Sequence, residues 1–191
     1  MMKDSLEDVR HDLIRRLSQA AKDRKSPMHT PVLATSDADT RILVLRDFDE
    51  ESWMLRFHTD ARSPKIAVIE SDSAVGVLFY DREEKVQIRC RGTARIERNS
   101  EVADAAWQQS DNYARRCYLG RSPSEVADEP TSGLPEWVEG EKPTDEQLAP
   151  ARENFAVLLV EIEEADWYEL SHDGHRRALV KADGEAHWLT P

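Results

Sequence analysis

Three short runs decide the fold: H-T-P-V-L-A-T at 29–35, R-I-L-V-L-R-D at 41–47 and S-W-M-L-R-F-H-T at 52–59. Each is rich in aliphatic, β-branched and aromatic residues, and the segments between them, S-D-A-D-T and F-D-E-E, are turn formers. They read as an antiparallel meander. Upstream, Leu6, Val9, Leu13, Ile14, Leu17, Ala20 and Ala21 recur at steps of three and four behind Ser5 and Asp8 at capping-box spacing, which predicts an amphipathic helix over 5–24. Downstream, Ser63-Pro64-Lys65 opens a short helix to about residue 70, with proline at a first-turn position. Strands follow at 74–80 and 85–98, the second long enough to bend, with Gly92 as the place for a bend or bulge.

Residues 100–118 read as helix. Residues 121–144 hold four prolines and many acids, and read as a long surface loop. Thr144 and Gln147 can cap a helix to about Asn154, followed by strands at 155–170, 177–182 and 185–189. Six to eight strands with turn signals and few helices between them predict a mainly β fold, an antiparallel closed or split barrel with peripheral helices, over one domain spanning 1–191.

Composition narrows the function. The 191 residues carry 26 Lys+Arg and 38 Asp+Glu, a net −12, which argues against a nucleic-acid partner. Residues 122–170 hold two basic and fourteen acidic side chains, so that window alone carries the whole −12 and the rest is neutral overall. Within the rest, residues 85–121 have eight basic against four acidic side chains, leaving room for a small anion. No apolar run approaches a membrane span, and M-M-K-D-S-L-E-D-V-R lacks the apolar core of a secretion signal, so the expected location is cytoplasmic. Cys90 and Cys117, 27 residues apart, suggest reduced thiols, and the six scattered histidines suggest no metal site. Glycine-rich nucleotide loops, nucleophile elbows and H-E-x-x-H are absent from the sequence.

The residues that can carry chemistry lie in T-R-I-L-V-L-R at 40–46 and F-H-T-D-A-R-S-P-K at 57–65. Strand alternation sets Arg41, Leu43 and Leu45 on one face and Ile42, Val44 and Arg46 on the other. Thr59, Arg62, Ser63 and Lys65 lie across a turn into a helix start, a combination suited to holding a phosphate. The plain alternative is a capped surface helix with incidental basic residues.

The order of these segments resembles the FMN-binding split barrels related to pyridoxamine 5′-phosphate oxidase, and within them a subgroup carrying D-A-R-S-P-K. The resemblance covers Pro31 to Arg98 well and returns more weakly from Trp167 to Pro191. It implies a homodimer with FMN at the subunit interface, each site built from both chains. It places phosphate contacts at Arg41, Arg62, Ser63 and Lys65, with His58 and Thr59 at a pair that follows the third strand. Leu43, Val44, Arg46 and Gln87 fall along the ring, Trp167 and Arg177 are contributed by the other subunit, and Thr131 and Ser132 stand where a Gln-Ser pair touches phosphate. FMN is preferred to FAD, since no adenine-nucleotide segment accompanies the basic cluster.

The departures imply a changed substrate. Where the oxidases proper grip pyridoxamine phosphate, Gln109, Tyr113, Cys117 and Asp173 stand here, and only His175 matches. Arg46, Tyr113, Arg116 and His175 are the candidate substrate-side residues. The implied activity is an FMN-dependent oxidoreductase acting on an unidentified small molecule, a poor oxidase of pyridoxamine phosphate. The alternative is a flavin carrier or sensor whose acidic loop contacts a protein.

Overall fold

The structure, a computed structural model, describes residues 4–191. Helix α1, Leu6–Lys22, starts where the Ser5 hydroxyl accepts from the Asp8 N–H at 3.1 Å, and it buries Val9, Leu13, Leu17 and Ala20. Strands β1 (Val32–Thr35), β2 (Thr40–Ile42), β3 (Leu45–Asp49), β4 (Met54–Asp60), β5 (Ala74–Asp81), β6 (Val86–Glu97) and β7 (Phe155–Glu169) form a sheet in the order β2-β1-β5-β6-β7-β4-β3. Every pairing is antiparallel.

The two ends of that order are neighbours in sequence, and this closes the barrel. The run 41–47 is not one strand. It leaves β1 after Ile42 and joins β4 from Leu45, because one end of the sheet must be handed to the other. The Leu43 N–H donates to the Pro31 carbonyl and the Leu45 N–H to the His29 carbonyl, both at 3.0 Å, which stitches the gap. The register slips between Leu45 and Asp47, so Arg46 is the extra residue of a bulge, not a member of a regular alternation.

Strand β7 divides the sheet. Its first half pairs with β4, Asp60 opposite Phe155 and Met54 opposite Glu161. Its second half pairs instead with β8 (Arg176–Lys181), which pairs in turn with β9 (Ala186–Leu189). Strand β6 runs along both halves, with a register slip between Arg91 and Gly92. A Cβ at Gly92 would stand 1.9 Å from the Glu161 carbonyl oxygen, so only glycine lets the two backbones approach there.

Helix α2 is Lys65–Ser71. The region 100–118 forms α3 (Glu101–Gln109), α4 (Asn112–Arg115) and a 3-10 turn at Arg116–Leu119. Ser110 turns extended, and the Asp111 carboxylate starts the chain again by accepting from the Tyr113 N–H at 2.8 Å. Residues 121–144 are irregular except for a 3-10 turn at Glu136–Val138, and the Thr144–Gln147 capping box opens α5 (Asp145–Leu148), as their spacing predicts.

Leu33, Leu45, Leu55, Phe57, Phe79, Ile88 and Trp167 fill the barrel, sealed by α1. A second cluster, Ala103, Ala106, Phe155, Val157 and Leu159, lies under α3 on the other face of β4 and β7. This explains the unbroken apolar run F-A-V-L-L-V at 155–160, where both faces of one strand are covered. Each large side chain buried there contributes roughly 1.5–3 kcal/mol.

Candidate functional site

Two groups of side chains emerge. The first stands where β2 and the start of α2 meet. Arg41 Nη1 donates to Thr35 Oγ1 at 2.9 Å, and its Nη2 donates to the exposed Asp39 carboxylate. Lys65 Nζ donates to Ser63 Oγ at 2.8 Å. Burial first, and the Arg41 guanidinium second, hold the Lys65 ammonium below its usual range, with Asp60 and Asp39 opposing. Two cations 24 positions apart in sequence are thus held in each other's field, an arrangement that an anion between them would relieve.

Arg62 does not join them. Its Nε and Nη2 donate to Asp60 at 3.0 and 2.7 Å, and its Nη1 reaches the Gly120 carbonyl at 3.1 Å. Its backbone N–H adds a bond to Asp60 Oδ1 at 2.8 Å. The guanidinium expected at a phosphate instead ties the start of the 121–144 loop to the end of β4. Ser132 lies in that loop with its hydroxyl on Glu139, and Thr131 Oγ1 accepts from the Gly133 N–H at 3.0 Å. Neither side chain is bonded to the Arg41–Lys65 group.

His58 and Thr59 face opposite ways. Thr59 points into the barrel, whereas the His58 ring turns to the helical layer, 5.0 Å from Phe155 centroid to centroid. Burial, then Arg46 and Arg56, push the His58 imidazole down to about 4, so it is neutral near pH 7. Leu43 and Val44 are half-buried in the gap between β2 and β3.

The second group is on the outer face of the sheet. The cross-strand row Tyr80–Gln87–Tyr168–Arg177–Leu189 brings Gln87 and Arg177 together, one strand apart on the same protomer. Beside it Asp166 is buried, accepting from Arg177 Nε at 3.0 Å and Nη2 at 2.7 Å, and from Arg89. Burial opposes ionisation there, but these hydrogen bonds outweigh it and hold the carboxyl below its usual value. The three side chains border a recess of about 450 Å³.

Trp167 is a correction. It is fully buried in the barrel, its indole N–H on Asp12 Oδ2 at 3.1 Å, and its cross-strand partner is Ala178, so it faces away from Arg177. The ten-residue spacing concealed this. Alternation about residue 167 was the signal that would have found Asp166 in its place. The substrate-side candidates are also dispersed. The Arg116 guanidinium lies 3.6 Å over the Tyr113 ring and donates to the Glu141 carbonyl, while Arg46 sits beside His58. His175 Nδ1 accepts from the Ser171 N–H at 3.2 Å, in the turn at the far end of β7. Tyr118 packs on Phe155 at the start of β7, so the two regions lie at opposite ends of that strand.

Residues 11–98 match the family described as the pyridoxamine 5′-phosphate oxidase FMN-binding domain. No curated protein matches the chain. Among solved structures, the fold is shared with a pyridoxamine 5′-phosphate oxidase-related, FMN binding protein from Nostoc punctiforme, at 21% identity and a TM-score of 0.73, covering 100% of both chains. It is shared with PhzG from Burkholderia lata, crystallised with tetrahydrophenazine-1-carboxylic acid, at 23% identity and a TM-score of 0.66, covering 95% of this chain and 91% of that one. A protein related to general stress protein 26 from Clostridium acetobutylicum follows at 11% identity and a TM-score of 0.58, covering 91% and 96%. Among the described residues, no helix is long and apolar enough to cross a membrane. Through residues 11–98 in sequence and through the whole barrel in fold, this chain resembles the pyridoxamine 5′-phosphate oxidase-like, FMN-binding family.

Proposed function

We propose that this chain is an FMN-dependent oxidoreductase that works as a homodimer on a small molecule. The observation that carries the reading is the Arg41–Lys65 pair, a half-buried ammonium depressed beside a guanidinium with the Ser63 hydroxyl at hand. A phosphate monoester suits that donor set, since it supplies the negative charge that Asp39 and Asp60 leave short. Leu43, Val44, Thr59 and Gln87 are the residues proposed to border the ring. When bound, FMN supplies two-electron redox chemistry, while the chain provides placement and polarity. A second copy is part of the reading because the resemblance builds each flavin site from both chains, and the helical region that holds Tyr113 and Arg116 stands at the start of β7 whereas His175 follows its end.

Pyridoxamine 5′-phosphate is proposed as a poor substrate. Asp173, where a phosphate-binding guanidinium is implied, is exposed in a recess whose three carboxylates, with Glu84 and Glu169, face Lys85 and Arg176, so the position supplies a negative charge in place of a forked donor for a dianion. Loss of that remote grip lowers turnover as well as affinity. Titration with FMN, followed by flavin fluorescence, tests the cofactor: the Arg41→Ala, Lys65→Ala double variant should bind at least tenfold more weakly, and equal binding would refute the assignment. Anaerobic mixing of the FMN-loaded protein with NADH, NADPH and pyridoxamine phosphate tests the activity through bleaching of the flavin band. Sedimentation of a 22 kDa monomer at micromolar concentration would remove the dimer.

A further inference from the structure

The segment 60–65, between β4 and α2, is bonded on its two sides to different parts of the chain. On one side Lys65 Nζ donates to Ser63 Oγ at 2.8 Å, in the field of Arg41. On the other, the Arg62 guanidinium is forked between the Asp60 carboxylate and the carbonyls of Gly120 and Arg121, the last two at 3.1 and 3.4 Å. The Ala61 N–H donates to the Asn154 carbonyl at 2.8 Å and Asn154 Nδ2 to the Tyr118 carbonyl at 2.9 Å, so the same turn holds the chain at 118–121 by a second route.

What Arg62 grips is the mouth of a closed loop. The Arg121 N–H donates to the Gly133 carbonyl at 2.9 Å, which draws the ends of 121–133 together, and Gly133 takes φ +71°, the left-handed region that favours glycine. Between Ser122 and Ser132 the loop carries Glu125, Asp128 and Glu129 and no basic residue. No residue from 121 to 137 is buried. The loop therefore has no core of its own, and apart from an exposed Arg121–Glu125 pair at 3.6 Å its closure rests on the bonds at its base. Asp60 is the shared member: it holds Arg62 by two side-chain bonds, and its charge also acts on Lys65.

We propose that Arg62 is a strap that couples occupation of the Arg41–Lys65 anion site to closure of the 121–133 loop. An anion seated on Lys65 and Arg41 meets their charge, which leaves the Asp60 carboxylate to Arg62 and orders the turn on which Arg62 stands. The strap then closes at a smaller cost in entropy, so the loop is held more firmly in the loaded chain than in the empty one. The coupling is reciprocal: the factor by which the anion tightens the loop is the factor by which loss of the strap weakens the anion. Arg62 is thus a positioning residue for the loop and not a ligand of the phosphate. The inference rests on the reading of Arg41 and Lys65 as a phosphate site, and extends it to a segment that displays the exposed Val126 among acids.

The test is limited digestion of the full chain by a glutamate-specific protease, with fragments assigned by mass spectrometry, alone, with FMN, and with inorganic phosphate against chloride at equal ionic strength. Glu125 and Glu129 report the loop, Glu51 in the turn before β4 controls for access, and Glu161 within β7 controls for global unfolding. In the wild type, saturating FMN or phosphate should slow cleavage at Glu125 and Glu129 by about threefold and leave Glu51 unchanged. Arg62→Ala should raise the rate in the empty chain, keep FMN affinity within about threefold of wild type, and show no slowing by either anion. Arg62→Lys, which keeps the charge without the fork, should behave in the same way, and it carries the comparison if Arg62→Ala also opens Glu161. Wild-type cleavage unchanged by both anions would overturn the strap, and so would slowing that persists in both variants, the mark of direct contact between loop and ligand. Slowing by phosphate in a chain whose titration shows no FMN uptake would sink the flavin reading and leave the strap standing, whereas FMN uptake without slowing would do the reverse.

Discussion

Trp167 Nε1 lies 3.1 Å from Asp12 Oδ2, an indole on β7 donating to a carboxylate on α1 that is 155 positions away and almost wholly buried. The same carboxylate accepts from Arg16 Nε at 2.8 Å and Arg15 Nη2 at 2.7 Å, and Arg16 continues to Asp81 at 3.1 Å. The N-terminal helix is therefore fastened to the barrel by a buried polar network as well as by leucines. Removing one member leaves uncompensated charge in the core. Asp12→Ala is expected to cost about 3–5 kcal/mol in urea unfolding followed by tryptophan fluorescence. Asp12→Asn, which keeps an acceptor for the indole, should cost less.

Arg62 is expected to act on the loop and not on the cofactor. Arg62→Ala should leave FMN affinity within about threefold of wild type, whereas cleavage of the 121–144 loop by trace protease should quicken, because its anchor at Gly120 is gone. A tenfold loss of FMN affinity with unchanged proteolysis would return Arg62 to the phosphate.

His58 sets an acid limit. Its imidazole titrates near 4 when folded and near 6.5 when unfolded, so below pH 6.5 the unfolded chain binds a proton that the folded one refuses. Stability from this group is complete above pH 6.5 and falls as pH drops toward 4, by about 2 kcal/mol for a ring that is only partly covered. Urea midpoints between pH 7 and 4.5 should decline less steeply in His58→Phe than in the wild type.

Gly92→Ala should be among the most damaging single-methyl changes in the chain. The new Cβ would lie 1.9 Å from backbone that cannot rotate away, so β6 and β7 must part. Loss of several degrees in Tm, or failure to accumulate folded protein, is the expected result, and the neighbouring Thr93→Ala, exposed on β6, is the control.

What was legible in the sequence was local. Ser5 with Asp8, Thr144 with Gln147, and Gly92 in a long apolar strand each declare their role within a few residues, and the structure has both caps and the bulge. The Arg41–Lys65 pairing was legible because the turn into α2 spans few residues. The bond from Arg62 to the Gly120 carbonyl was not legible, because that acceptor is 58 positions away and no short pattern reveals it. Trp167 was misread because matching its spacing to Arg177 ignored the pleat. In the hairpin Trp167 faces Ala178 and Tyr168 faces Arg177, so the pair stands on opposite sides of the sheet. The break after Ile42 is a demand of barrel closure, felt only once β4 is in place.

The division of labour along β7 bears on how the chain is made. Strands β4 and β6 both wait for a strand that is encoded about sixty residues or more downstream of them, at Phe155–Glu169. During synthesis the first hundred residues can form α1 and the β1–β5–β6 portion of the sheet, but two strand edges stay bare until the acidic loop and β7 have left the ribosome. The segment that matches the family, 11–98, is accordingly not a unit that can close by itself. Expressed alone it should aggregate through those edges, and adding residues 155–169 in trans as a peptide should rescue it in proportion to how well the peptide fills the gap.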